Sequence, residues 1–79
     1  MPVEAYVAVK VRPPKSAKFK DIFPSIEGVK EVMLVSGHFD FLLRVISENT
    51  FELSKVLEEI RADEDVLETQ TSIVMERLK

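Results

Sequence analysis

Seventy-nine residues suffice for one domain, residues 1–79, and leave no room for a second. A chain this short buries only about 60% of the surface its unfolded form exposes, so small domains usually lean on disulfides, metals or a partner chain. With no cysteine and one histidine, oligomerisation is the supplement left, and a net charge of −3 argues against a stand-alone nucleic-acid binder.

The opening MPVEAYVAVKV has no basic stretch followed by a long apolar run, so it does not read as a signal peptide. No apolar run approaches the ~20 residues of a membrane span. The expected location is cytoplasmic, away from membranes.

Val3, Val7, Val9 and Val11 alternate with Glu4, Lys10 and Arg12, the period-two pattern of a strand, which Pro13 and Pro14 end. Phe19, Ile22, Phe23 and Ile26 follow at helical spacing, with Ser16 as the expected N-cap. Pro24 should kink or end that helix near Phe23, and Gly28 begins the next connection. Val29–Val35 and Phe39–Ile46 read as a hairpin turned at Ser36-Gly37-His38. Asn49, with Glu52 three residues on, should cap a second helix carrying Leu53, Val56, Leu57 and Ile60. After the polar RADED turn, Val66–Leu78 reads as the last strand.

The order β-α-β-β-α-β is the ferredoxin-like pattern: α+β, a four-stranded antiparallel sheet with two helices on one face. The third strand is nevertheless apolar on both sides, with Phe41, Leu43 and Val45 on one and Leu42 and Ile46 on the other. The second strand behaves alike, with Met33 and Val35 against Val32 and Leu34. Strands that lose alternation are covered on both faces. A second copy is the simplest cover, giving a dimer with a closed, barrel-like core.

Val35-Ser36-Gly37-His38-Phe39-Asp40-Phe41 carries most of the functional signal. Gly37 permits backbone conformations that other residues resist. Asp40 either caps the turn or holds a carboxylate ready for a ligand ammonium. His38 has no serine, cysteine or metal partner that would make it a catalytic base. Thr69 and Thr71 share one face of the last strand, where their hydroxyls line a pocket or merely reflect strand propensity. Glu58, Glu59, Asp63, Glu64 and Asp65 form an acidic group without calcium-loop spacing, best read as a solvated face. With only two glycines there is no phosphate-cradling loop, and no cofactor, metal or catalytic centre is expected.

These segments resemble a known family. Glu27-Gly28-Val29-Lys30-Glu31-Val32, Val35 to Val45, the helix with Leu57-Glu58-Glu59-Ile60, and Glu68 to Met75 are similar, in order and separation, to the effector (RAM) domain of the Lrp/AsnC, or feast/famine, transcription regulators. The resemblance implies sheet-to-sheet dimers forming a dimeric α/β barrel, with rings of dimers above them. It implies an amino acid or related metabolite held between dimers near the Gly37–Asp40 loop. By that resemblance Gly37 lies against the ligand and Asp40 contacts its amino group or supports the loop. Thr69 and Thr71 contribute hydroxyls, and His38 completes the candidate set. Three features depart from the family. The usual preceding DNA reader is absent, Asp65 stands where a glycine is usual, and Pro24 interrupts the first helix.

The expectation is a sensing and oligomerisation module that modulates full-length Lrp/AsnC regulators and does not itself contact nucleic acid. The alternatives are a small enzyme of the dimeric α/β-barrel, monooxygenase-like class, or a ligand-free assembly partner. In a band-shift with the purified chain at physiological salt, no sequence-specific complex should form; a specific shifted band contradicts the acidic, reader-free account.

Overall fold

The computed structural model describes residues 1–79. Strand β1 (Val3–Val11) leads to helix α1 (Ser16–Ile22) and a 3-10 turn (Phe23–Ser25). Then come β2 (Val29–Leu34), β3 (Phe41–Ser47), α2 (Thr50–Ile60) and β4 (Val66–Ile73). The sheet runs β2-β3-β1-β4 with every neighbouring pair antiparallel, the ferredoxin-like arrangement.

Alternation decides which side of each strand meets the helices. Ala5, Val7, Val9 and Val11 of β1 and Phe41, Leu43 and Val45 of β3 are buried on the helix side. Phe19, Phe23 and Ile26 close over them from the α1 side, and Leu53, Val56 and Ile60 from α2. The ring of Phe23 stacks on Phe19 at 4.9 Å and meets Phe41 edge-on at 5.3 Å, the offset and T-shaped geometries aromatic pairs prefer.

The two helices start in different ways. Asn49 caps α2 as expected, its Oδ1 accepting from the Glu52 amide at 2.8 Å. Ser16 does not cap α1. It is the first helical residue, and Lys15 before it offers no side-chain cap. The Lys15 amide donates to the Arg12 carbonyl at 2.7 Å, closing a turn that starts the helix one residue early. Pro24 ends α1 without loss, because it falls at the start of the 3-10 turn, where a backbone donor has no intrahelical partner anyway.

Two strand boundaries move by more than one residue, while β2 ends at Leu34 and β3 at Ser47, each within one residue of expectation. β3 begins at Phe41 rather than Phe39, because the Asp40 amide is drawn to the Val9 carbonyl at 2.9 Å. β4 stops at Ile73 rather than Leu78. The Val74 amide reaches the Glu4 carbonyl at 2.8 Å, and β1 has only Val3 left beyond that point.

The helix-free face carries Glu4, Tyr6, Ala8 and Lys10 of β1 beside Leu42, Arg44 and Ile46 of β3, with Met33 of β2 next to them. Arg44 crosses this face, 2.6 Å from Glu4 and 3.6 Å from Glu31, and Arg77 also pairs with Glu4. Both β2 and β3 thus place apolar side chains on either side of the sheet, as their composition implied, but ion pairs divide the outer set.

The acidic turn before β4 is not simply a solvated face. Asp65 is buried and pairs with Lys18 at 2.7 Å and Arg12 at 3.1 Å. Asp63 accepts from the Asp65 amide at 2.8 Å and lies 3.0 Å from Lys18. These bonds fasten α1 to the α2–β4 connection, which gives the residue standing in place of a family glycine a structural task.

Hydrogen bonds from Lys18 to Asp65, from the Asp65 amide to Asp63 and from Arg44 to Glu4 hold all three carboxyls below their ordinary range, and the Asp65 contact raises Lys18. Depressed carboxyls contribute stability above their unfolded values, near pH 4, and lose it as the pH falls through the depressed ones. Raised Lys18 contributes below about pH 10 and loses its share as pH rises further. Melting temperature should therefore decline below about pH 4, and Asp65→Asn should flatten that decline. An acid limb identical in the two proteins contradicts the assignment.

Candidate ligand-binding site

The candidate site grows out of the connection from β2 to β3, residues 35–40. The Val35 amide donates to the Asp40 carbonyl at 2.9 Å, which closes the loop at its base. Gly37 sits at φ +113 with nothing within 4 Å of where a Cβ would stand. The glycine is therefore needed for its backbone angle and not for space. The amides of Ser36, Gly37, His38 and Phe39 donate to no group of the chain.

Asp40 locks the loop to β1. The pairing of β1 with β4 shifts register between Lys10 and Val11. The Val11 amide donates instead to Asp40 Oδ2 at 2.8 Å. Asp40 is half-buried, and its Oδ1 makes no bond within the chain. The carboxylate thus has one oxygen committed to the fold and one free.

His38 is exposed at the loop tip. Its Nε2 lies 2.8 Å from Glu68 Oε1, and its carbonyl accepts from Lys10 Nζ at 3.2 Å. Lys10 and Glu68 face each other across β1 and β4 on the helix-free side. Sequence reasoning did not single out either residue, since their meeting with residue 38 depends on strand pairing over 28 and 30 positions. The only local signal was their place on the polar side of the alternation.

Gly37, His38 and Asp40 thus converge at one end of the sheet, while the threonines stand apart. Thr69 lies opposite Val9 and Thr71 opposite Val7, so both point to the helix side of β4, away from Lys10 and Glu68. Thr69 is one strand from the loop through the Val9 carbonyl that holds the Asp40 amide. No helix is long and apolar enough to cross a membrane.

The sheet and its two helices define a small ferredoxin-like α+β domain with a glycine loop between β2 and β3. The Lrp/AsnC ligand binding domain family matches residues 4–79, and the chain belongs to that family. A protein from Thermus thermophilus superposes with a TM-score of 0.90 at 23% identity, covering 98% of each chain. A transcriptional regulator from Neisseria meningitidis, solved with L-methionine, superposes at 0.85 with 24% identity. That alignment covers 98% of this chain and 52% of the regulator. Both likenesses speak to the fold. Homocitrate synthase of Saccharolobus solfataricus is 43% identical over 53 residues, which is 67% of this chain and 12% of the enzyme. The chain therefore spans a small part of that relative and about half of the regulator.

Asp40→Ala strands the Val11 amide and should cost about 1–3 kcal/mol, lowering Tm by several degrees or more. Asp40→Asn keeps an oxygen for that amide and should melt much closer to wild type. Equal melting of all three proteins would show that the Val11 bond does not stabilise the fold.

Proposed function

We propose that the chain is an amino-acid sensing and assembly module. Its family membership over residues 4–79 carries this reading. The loop chemistry supports it. An α-amino acid presents an anion and a cation about two bonds apart. The unoccupied amides of residues 36–39 suit its carboxylate, and the free Oδ1 of Asp40 suits its ammonium. His38, with Glu68 and Lys10, borders the same loop and can discriminate among side chains. Thr69 and Thr71 serve the site only from the helix side, through the edge of β4.

In this reading a second copy covers the helix-free face, and further dimers join in a ring. The assembled module responds to its ligand by changing the association of full-length Lrp/AsnC regulators. Chemistry on a substrate is not part of the proposal, nor is direct contact with DNA.

A second reading of the partner is favoured by one observation. Identity to homocitrate synthase, at 43%, exceeds that to the regulator structure, at 24%. The same module can regulate a biosynthetic enzyme, with an amino acid acting through the loop. The ligand site is common to both readings; only the protein that hears the signal differs.

Calorimetric titration across the amino acids, beginning with L-methionine, tests the proposal. At least one should bind saturably to wild type. Asp40→Asn should weaken it by roughly 10- to 150-fold while remaining folded, since a lost charged hydrogen bond is worth about 1.5–3 kcal/mol. No binding across the series, or equal affinity in the folded variant, contradicts the proposed site.

A further inference from the structure

At the end of the sheet away from the Gly37–Asp40 loop lies a groove between the start of β2, the end of β3 and one side of α2. Ser47, at the end of the seven-residue β3, stands far from Asp40 just before its start, a span of roughly 20 Å. Its floor is Ser47 with Val56 and the main chain of Ile46, and Glu27, Glu48 and Glu59 stand at its rim. Ser47 is only 8% exposed, yet its hydroxyl bonds to no group of the chain. No side-chain nitrogen or oxygen is sealed away without a partner, so this hydroxyl is open to the groove that Ser47 lines.

Gly28 keeps the floor open. A Cβ there would stand 3.1 Å from Val56 Cγ2 and 4.0 Å from Ser47 Oγ, filling the space between them. The glycine's φ of +96 further disfavours any side chain.

The charge in the groove is unbalanced. Four glutamates face two lysines. Lys55 is engaged, 3.6 Å from Glu52 and over the ring of Phe51 at 4.6 Å. Glu27, Glu48 and Glu59 take part in none of the chain's ion pairs. The start of α2 does not make this an anion site, because the Glu52 and Leu53 amides are already held by Asn49. Capping does not explain the acidity either. Glu59 lies in the last turn of α2, where a negative charge opposes the helix dipole, and Glu27 is outside the helix.

We propose that this groove is a second ligand site, which takes a primary ammonium carried on an aliphatic chain. The Ser47 hydroxyl accepts from the ammonium, the carboxylates of Glu27, Glu48 and Glu59 balance its charge, and the stem lies against Val56. A basic amino acid and a linear diamine share this chemistry. The site stands independently of the loop.

The test follows backbone amide shifts of the intact chain by NMR at physiological salt, titrating cadaverine, L-lysine and L-norleucine. Cadaverine, L-lysine or both should move the Gly28, Ser47 and Glu59 amides saturably, and the arm that does so names the source. L-norleucine, which lacks the terminal ammonium, should not move them. The double variant Glu48→Gln/Glu59→Gln changes only exposed side chains and should keep its melting curve while losing affinity at least about tenfold, or 1.4 kcal/mol. Asp40→Asn should leave the groove titration unchanged, which separates this site from the loop. The proposal is overturned by no saturable shift at these amides, by equal shifts with L-norleucine, by unaltered affinity in the double variant, or by loss in Asp40→Asn.

Discussion

Two helices can cover only one face of a four-stranded sheet, and the rest of this molecule follows from that limit. All thirteen residues of the buried cluster lie on or under the helix side. On the other side Tyr6, Ala8, Met33, Leu42 and Ile46 stand on the sheet with no layer above them. Single exposed apolar residues are ordinary; these five share one uncovered face, which is the face the proposed second copy would cover. The Glu4–Arg44–Glu31 row lies within the same surface. A partner placed over it must leave those charges paired, since a buried charge stripped of its counter-ion is strongly destabilising. The row therefore restricts how the proposed second copy can sit.

The same sheet sets where chemistry can occur. β1 lies between β3 and β4, so its C-terminal end gathers several connections. Asp40 takes the Val11 amide, the Asp65 carbonyl takes the Arg12 amide at 2.7 Å, and Lys10 reaches the loop carbonyl at His38. The loop amides are left without partners while the loop itself is tied down at Val9 and Val11. A fixed loop with free donors loses little entropy when it meets a ligand, which is the advantage of preorganisation.

Element order, the helix-capping Asn49 and both faces of β1 and β3 were legible in the sequence because they rest on local periodicity and short-range bonds. Ser16 was misassigned because a turn closed by Arg12 starts the helix, and no propensity of Ser16 reports that. The end of β4 at Ile73 depends on where its partner strand runs out. The composition of Val66 to Leu78 carries no trace of this limit. In the site, the unusual backbone at Gly37 was legible, and so was a structural share for Asp40. That Asp40 would take the Val11 amide was not, since the free donor arises from a register shift between two other strands. Thr69 and Thr71 were correctly placed on one face together. Which face that was, and hence their separation from His38, required the pairing with Val9 and Val7.

The central claim is that a sheet covered on one side belongs to an assembly of at least two copies. Sedimentation velocity of the purified chain at micromolar concentration measures this directly. The account predicts a species of two or more chains, shifted toward single chains when Leu42 and Ile46 are both replaced by Lys. A wild-type protein that sediments as a single 9.0 kDa chain at every concentration tried contradicts it.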